Sequence, residues 1–558
     1  MTSYINKIFT ALCAVLLLGA TSCVGDLDLK PNDPNEITQL DENGMSQFMM
    51  KCYSSLAVAG QGGPDGGADI SGMDGGTSQY IRAVFMMNEF TTDESKWIWP
   101  DAGVADLVTD TWGRDNANIF GTYSRFYVHI AVCNEFLRAA NSFGASETFK
   151  PTLEAYKLEA RALRALSYYN VIDLFGNGGF IDETSPAGTA PVQKTRAELY
   201  TWLTGELESI VSSMSDTTPT YGRIGKDAAE ALLCRLYLNG KVFANDANGY
   251  KNCSTHAANI IARHQGGGFN GSGLVKQYLY LFCGNNEEYM PGGGNTGENE
   301  ILWGVPYDSD NIKTYGGTMF LTAAAYSNLT MAANNAQMDP KDYGMNAQWG
   351  CMHATPEFAD KFAEGDVRWS MWCKEDQGFK KENTNFAGKF TEGYGVVKFT
   401  NLLKGKNGEW SKENGGIYDP SGATAARAEN FPDTDYPMIR LADVYLMYAE
   451  SYVVGGQGNA ADALKYVNFV RGRAGIENWT QAELTPNNIL DERCRELYWE
   501  NVRRTDLIRF GKFTGSNYNW SWKNNLPKGG SVAAYRALFP IPSNVIAAQP
   551  EFKQNPGY

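Results

Sequence analysis

The chain has 558 residues, with 63 Asp and Glu against 48 Lys and Arg and a formal charge of −15. That length can bury a large core, and the acidic balance excludes nucleic acid and anionic lipid surfaces as partners, because both demand clustered Lys and Arg. The 30 Tyr and 13 Trp supply more flat surface than a helical core requires, so some faces are expected to serve a ligand.

Residues 1–22 read as a signal peptide of the lipoprotein type. Lys7 gives the basic start, residues 8–20 are apolar but too few to span a bilayer, and Ala20, Thr21 and Ser22 place small side chains before Cys23. Cleavage there leaves the Cys23 thiol to be acylated, a lipid tether instead of a membrane-spanning helix. Residues 23–44 are acidic and proline-bearing, an extended tether. Beyond it Cys52, Cys133, Cys234, Cys253, Cys283, Cys351, Cys373 and Cys494 are widely spaced and include no CxxC pair, which suits small buried hydrophobes better than a metal or redox site.

Residues 45–264 are expected to form a helical scaffold. A short helix over 45–58 precedes a glycine-rich loop, GQGGPDGGADISGMDGGTSQY, at 60–80, and residues 81–103 start as a helix and break into a loop carrying Trp97 and Trp99. Residues 119–143 and 153–175 pair as long helices in the manner of tetratricopeptide hairpins. Thr195 and Glu198 form a capping box that opens a helix to about 214, and 226–243 returns beside it. Residues 265–435 differ: QGGGFNGSG, PGGGNTGENE and short apolar runs such as EILWGVPYD sustain no repeat, so loops, small strands and short helices are expected there. Helical periodicity resumes in 436–558. Leu441, Val444, Tyr445, Tyr448 and Tyr452 make one stripe and Ala460, Ala463, Leu464 and Val467 a second, with Gly455, Gly456 and Gly458 as the turn. A third helix starts at Thr485-Pro486 and is expected to run to about Gly511. The fold class is therefore mainly α, a tetratricopeptide-like helical-hairpin scaffold with a large irregular, loop-rich insertion carrying short strands.

Two aromatic-bearing regions suit a sugar, which presents C–H faces for rings and hydroxyl edges for Arg, Asn and Asp. The first holds Arg82, Asn88, Trp97, Trp99 and Asp101; the second holds Tyr289, Trp303, Tyr307, Asp308, Asp310, Asn311 and Tyr315. Spacing by two places the Trp97 and Trp99 rings on one side of an extended loop, although such a pair also serves to staple a loop to a core. No catalytic carboxylate motif stands out, and a glycosidase needs two carboxyls at a defined gap that sequence does not give. His129, His256, His264 and His353 contain no HExxH, and the glycine runs lack a phosphate-loop pattern. No cofactor is expected and no metal site is assigned. Asp308-Ser309-Asp310-Asn311 resembles the opening of a calcium loop, the one candidate for a structural calcium, but the glycine and closing glutamate are missing; a turn or a sugar-edge contact is the better reading.

The runs IRLADVYLMYAES, ALKYVNFVRGRAG, ERCRELYWENVRRTDLIRFGKF and FPIPSNVIAAQPEFKQNPGY resemble, in order, the C-terminal hallmark of the RagB/SusD family of Bacteroidetes surface glycan-binding lipoproteins. The resemblance extends upstream to Cys23. It implies an outer-membrane, surface-exposed, lipid-anchored protein without catalytic activity, exported with the help of Asp26 and Asp28, that binds a neutral polysaccharide and delivers it to a TonB-dependent transporter of the SusC type. GGTSQYIRAVFMMNEFTTDESKWIWPDAG resembles the ligand-loop segment of the family's starch-binding founding member, which implies that Arg82 and Trp99 contact an α-glucan. Within the helix signature, Glu492, Arg493, Glu496 and Arg504 are read as structural ion pairs. A different glycan such as a β-glucan or fructan, a surface endo-glycosidase, and a structural protein with no sugar ligand are the competing readings.

Overall fold

Capping side chains set several of the helix starts in the computed structural model, which describes residues 40–186, 188–294, 298–326, 340–372, 392–403, 424–425 and 429–558. Residues 1–22, Cys23, Asp26, Asp28 and Cys373 lie outside the described residues. Residues 1–50 and 51–558 form two units. Helix α1 (Glu42–Ala57) begins in the first; the other elements belong to the second.

In chain order these are α2 (Tyr80–Asn88), β1 (Lys96–Trp97), α3 (Val104–Val108), α4 (Ala117–Ser142), α5 (Lys150–Leu174), α6 (Arg196–Ser213), α7 (Lys226–Leu238) and α8 (Gly249–His264). There follow β2 (Ile301–Val305), α9 (Gly317–Ala325), β3 (Met352–His353), β4 (Tyr436–Arg440), α10 (Leu441–Val453), α11 (Ala460–Arg473), α12 (Pro486–Leu497) and α13 (Arg503–Arg509). Asn116 caps α4 by accepting from the N–H groups of Asn118 and Ile119, and Thr195 and Glu198 form the expected capping box at α6. Asn459 and Thr485 cap α11 and α12. Helix packs on helix in one series, α4 on α5, α5 on α6, α6 on α7, α7 on α8, α8 on α10 and α10 on α11. The stack therefore continues across the long insertion, as a repeat scaffold requires, since no single hairpin can hide its own apolar stripe.

Two helices differ from expectation. The segment 226–243 stops at Leu238 and restarts as a short turn, and α8, which the periodicity did not single out, supplies the next layer. The helix starting at Pro486 breaks after Leu497 because Trp499 and Asn501 take φ of 61° and 66°. Those left-handed residues are held by tertiary contacts: the Trp499 N–H donates to Glu94 Oε2 at 3.0 Å, and the Asn501 carbonyl accepts from Asn88 Nδ2 at 3.2 Å.

The insertion joins the scaffold through a ladder and a buried ionic network. Strand β2 pairs antiparallel with β4, with Val305 opposite Tyr436 and Ile301 opposite Arg440. Arg440 reaches Glu300 at 2.8 Å, Glu496 at 2.9 Å and Glu500 at 2.7 Å, and Arg473 reaches Glu300 at 2.9 Å. Arg368, from the insertion, pairs with Asp366 and with Glu492 of α12, both at 2.7 Å. Glu492, Arg493 and Glu496 thus form structural ion pairs. Arg504 does not: it donates to the carbonyls of Arg536 and Ala537 and lies over the Phe539 ring at 4.5 Å. Burial alone would raise the Asp443 carboxyl, but Arg235 and Arg493 overcome it and hold it at about 2. Glu492 is likewise pushed below its ordinary range, by Arg368, Arg495 and Arg471 acting against burial.

Removing one member of such a network strands the others without water. Arg440→Ala should lower the unfolding free energy by about 3–5 kcal/mol in a denaturant titration. The folded-state values of Asp443 and Glu492 lie below their unfolded ones, so their stabilisation is complete above about pH 4 and fades as the pH falls towards about 2. Urea midpoints should drop over that window, and Asp443→Asn should be less stable at pH 7 and flatter below about pH 4.

Candidate functional site

The glycine-rich segment 60–76 has no ladder of its own and depends on one buried side chain of α4. Arg125 donates to the carbonyls of Ala59 (3.1 Å) and Ser78 (2.5 Å) and pairs with Asp69 at 2.6 Å, so a single guanidinium fixes both ends of the loop and its middle. Gly76 lies flat on Tyr315; a Cβ there would sit 2.8 Å from the tyrosine Cβ. The Tyr315 hydroxyl donates to Asp65 Oδ1 at 3.0 Å, closing the loop against the insertion.

Gln79 is the joint between α2 and the insertion. Its Oε1 accepts from the N–H groups of Arg82 and Gly317 at 3.0 and 2.9 Å, and its Nε2 donates to the Leu56 carbonyl and the Tyr307 hydroxyl. Gly317 has φ of 55°, and a Cβ would fall 2.2 Å from the Tyr307 ring, so only glycine permits this junction.

The tryptophan loop is held from below. Arg503 grips Asp93 with two bonds of 2.7 Å, and β1 pairs antiparallel with β3, Lys96 opposite His353 and Trp97 opposite Met352; the Ile98 N–H extends the pairing to the Cys351 carbonyl at 2.9 Å. Alternation along this extended stretch puts Trp97 and Trp99 on one side. They are not equivalent. Trp97 is 2% exposed, stacked on Phe320 at 5.8 Å and 26°, and its indole N–H donates to Asp101 at 2.7 Å. Trp99 meets it edge-on at 5.8 Å and stays half-exposed. The pairing of β1 with β3 also brings in Trp349, whose backbone is anchored to α9 through the Ala323 carbonyl.

A hollow of about 480 Å³ results, with Arg82, Trp97, Trp99, Asp101, Tyr315 and Trp349 among its walls. The Arg82 guanidinium lies 4.7 Å over Phe320, 5.7 Å over Trp97 and 6.0 Å over Trp349, and donates to the Tyr315 carbonyl at 3.2 Å. Burial lowers its pKa, and Asp74 and Asp101 act in the opposite direction. Tyr315 and Trp349 are 6.4 Å apart at 50°, and Tyr315 also meets Phe431 at 5.5 Å. Half-exposed rings at different tilts therefore surround a cation and carboxylates, an arrangement that receives C–H faces by stacking and hydroxyls by hydrogen bonding.

Three expected site residues lie elsewhere. Asn88 is 2% exposed and spent on the Asn501 carbonyl. Tyr289, also 2% exposed, stacks with Tyr280 at 6.4 Å. Tyr307, 5% exposed, packs on Gly317 and accepts from Gln79. Asn88 and Tyr307 share a physical reason, since each satisfies a buried group, the Asn501 carbonyl and the Gln79 amide, whereas Tyr289 is packed in the interior against another ring. Trp303 is buried too and donates to the Gly222 carbonyl. Asp308 accepts from the N–H groups of Asp310 and Asn311 at 2.7 and 2.8 Å, an Asx turn. His256 and His264 hydrogen-bond to Glu230 and Asp227, both at 2.8 Å, and His353, pushed down to about 4 by burial and Lys96, bonds to the Glu392 carbonyl. Trp349 and Asp74 were missed; only the tertiary pairing of β1 with β3 and the fold of the glycine loop bring them to Trp99.

Comparison with known proteins agrees with this architecture. Residues 238–558 match the model of the SusD family. The chain is similar to the starch-binding protein SusD of Bacteroides thetaiotaomicron, at 30% identity with all of both chains covered. Among solved structures it is similar to a SusD superfamily protein from Bacteroides vulgatus, with a TM-score of 0.68 and 18% identity over 93% of this chain and 100% of that one. It is also similar to surface glycan-binding protein A from Bacteroides thetaiotaomicron in complex with laminarihexaose, with a TM-score of 0.64 and 18% identity over 92% and 99%. With the family model spanning more than half of the chain and a full-length relative at 30% identity, the chain belongs to the SusD family.

Proposed function

We propose that this protein captures a neutral glycan at the cell surface, without cleaving it, and delivers it to a TonB-dependent transporter of the SusC type. The observation that carries the reading is the set of half-exposed rings, Trp99, Trp349 and Tyr315, around one hollow that also presents Arg82 and Asp101. Rings take the sugar faces; Arg82 and Asp101 take hydroxyls at the edges. Asp101 is exposed and already accepts from the Trp97 indole, a positioning contact.

Starch or another α-glucan is the favoured ligand, supported by the full-length similarity to a starch-binding protein and by the mutual tilt of the plates, which suits a curved chain. A β-glucan is the second reading, favoured by the structural likeness to a protein solved with laminarihexaose. Anchoring would run through lipid on Cys23, in keeping with the small residues before it; among the described residues no helix is long and apolar enough to cross a membrane.

Isothermal titration with malto-oligosaccharides tests the site. Trp99→Ala and Trp349→Ala should each weaken binding about thirtyfold, the loss of roughly 2 kcal/mol that a central ring contributes. Asn88→Ala should keep wild-type affinity while lowering the melting temperature; undiminished binding by Trp99→Ala would remove that ring from the site. Incubation with soluble glucan should release no reducing ends. Cys23→Ala should free the protein from membranes, as fractionation would show.

A further inference from the structure

One face of α4 shapes the glycine-rich loop over three successive turns. Ala117, Gly121 and Arg125 are four residues apart, so they lie one above the other along the helix. Arg125 holds the ends and the middle of the loop, and Ala117 belongs to the wall of the aromatic hollow. Gly121, between them, is buried, and the space a side chain would take there is filled by Met73 of the loop: a Cβ on Gly121 would overlap the methionine methyl carbon and lie 3.2 Å from its sulfur. The thioether is a peg in a notch.

Hydrogen bonds at the tip of the loop stay local. The Met73 N–H donates to the Ile70 carbonyl at 3.3 Å, the Asp74 carboxylate accepts from the Thr77 N–H at 2.8 Å, and the Asp74 carbonyl accepts from the Ser78 N–H at 3.0 Å. These bonds shape the turn, and the Met73 peg ties it to α4. The same side chain is half-exposed and lines the hollow together with Trp99, while Asp74, the next residue, is one of the carboxylates that act on Arg82. A thioether adapts its torsions to whatever apolar surface meets it, so it offers a sugar C–H face a contact beside the rings.

We infer that Met73 is a specificity-determining residue that touches the glycan in the aromatic hollow, and that Gly121 is the positioning residue that sets where its thioether and the adjoining Asp74 stand. The inference rests on the glycan reading of that hollow. A side chain at Gly121 would drive out the far end of a flexible residue, which shifts the wall of the site and leaves the helix intact.

A double-substitution cycle on the full-length protein, read by isothermal titration with malto- and laminari-oligosaccharides, tests the coupling. Gly121→Ala should weaken binding about three- to tenfold with its melting temperature kept, and should have no further effect once Met73 is already Ala. Methyl NMR of protein labelled at the methionine methyl carbons tests the contact. The peak that Met73→Ala removes should move in Gly121→Ala without ligand, and should move in the wild-type protein when the bound oligosaccharide is added. Equal weakening by Gly121→Ala in both backgrounds, wild-type affinity in Gly121→Ala, or binding that leaves the Met73 peak in place overturns the inference and leaves the aromatic site standing. Failure of the wild-type protein to bind either oligosaccharide overturns the glucan reading together with this one.

Discussion

Buried guanidinium groups hold this protein's irregular segments in place. A loop without a ladder still has to satisfy its backbone and its buried polar side chains, and here the helical scaffold supplies the donors. Arg125 of α4 fixes the glycine-rich loop at Ala59, Asp69 and Ser78; Arg503 of α13 grips Asp93 at the root of the tryptophan loop; Arg440 and Arg473 bind Glu300 where the insertion enters β2. Arginine suits the task because its planar fork offers five donors in fixed directions and keeps its charge when buried. Desolvation offsets much of the Coulomb energy of such pairs, so what they contribute is position more than net stability.

That position matters because the candidate site is assembled from remote stretches. Phe320, Trp97 and Trp99 form a layered column with Arg82 beside it, and the deepest layer is dry while the top remains in contact with solvent. Trp97 is therefore both staple and support: it anchors the loop through Phe320 and Asp101 and presents an edge on which Trp99 rests. A plate braced this way loses little freedom when a ligand lands on it, which lowers the entropic cost of binding.

Local signals carried the scaffold. The Thr195–Glu198 box, the Thr485 cap and the apolar stripes of α10 and α11 depend only on neighbours in sequence, and they appear where the pattern places them. The break at Trp499 was invisible because its cause is Glu94, remote in the chain and close only after folding. The same holds for the site. Arg82, Trp97, Trp99, Asp101 and Tyr315 come together, but composition alone does not distinguish an exposed ring from one, such as Tyr307, that is consumed by a glycine contact beneath the surface. Trp349 had no local signature at all, since its relevance comes from a two-residue ladder between β1 and β3.

The division of labour between network and rim explains how a scaffold of this kind tolerates change in its ligand. The ion pairs that seat the insertion lie among α11, α12, β4 and the start of β2, and none of their members lines the aromatic hollow. Rim geometry depends on different groups: Gly76, which has no space for a Cβ between Tyr315 and Arg82, and the hydroxyl of Tyr315 on Asp65. A substitution at Gly76 would tilt a plate without touching a buried charge, whereas a substitution at Arg440 would unseat the insertion without touching the plates. Changes at the rim can therefore accumulate while the fold is held by the network.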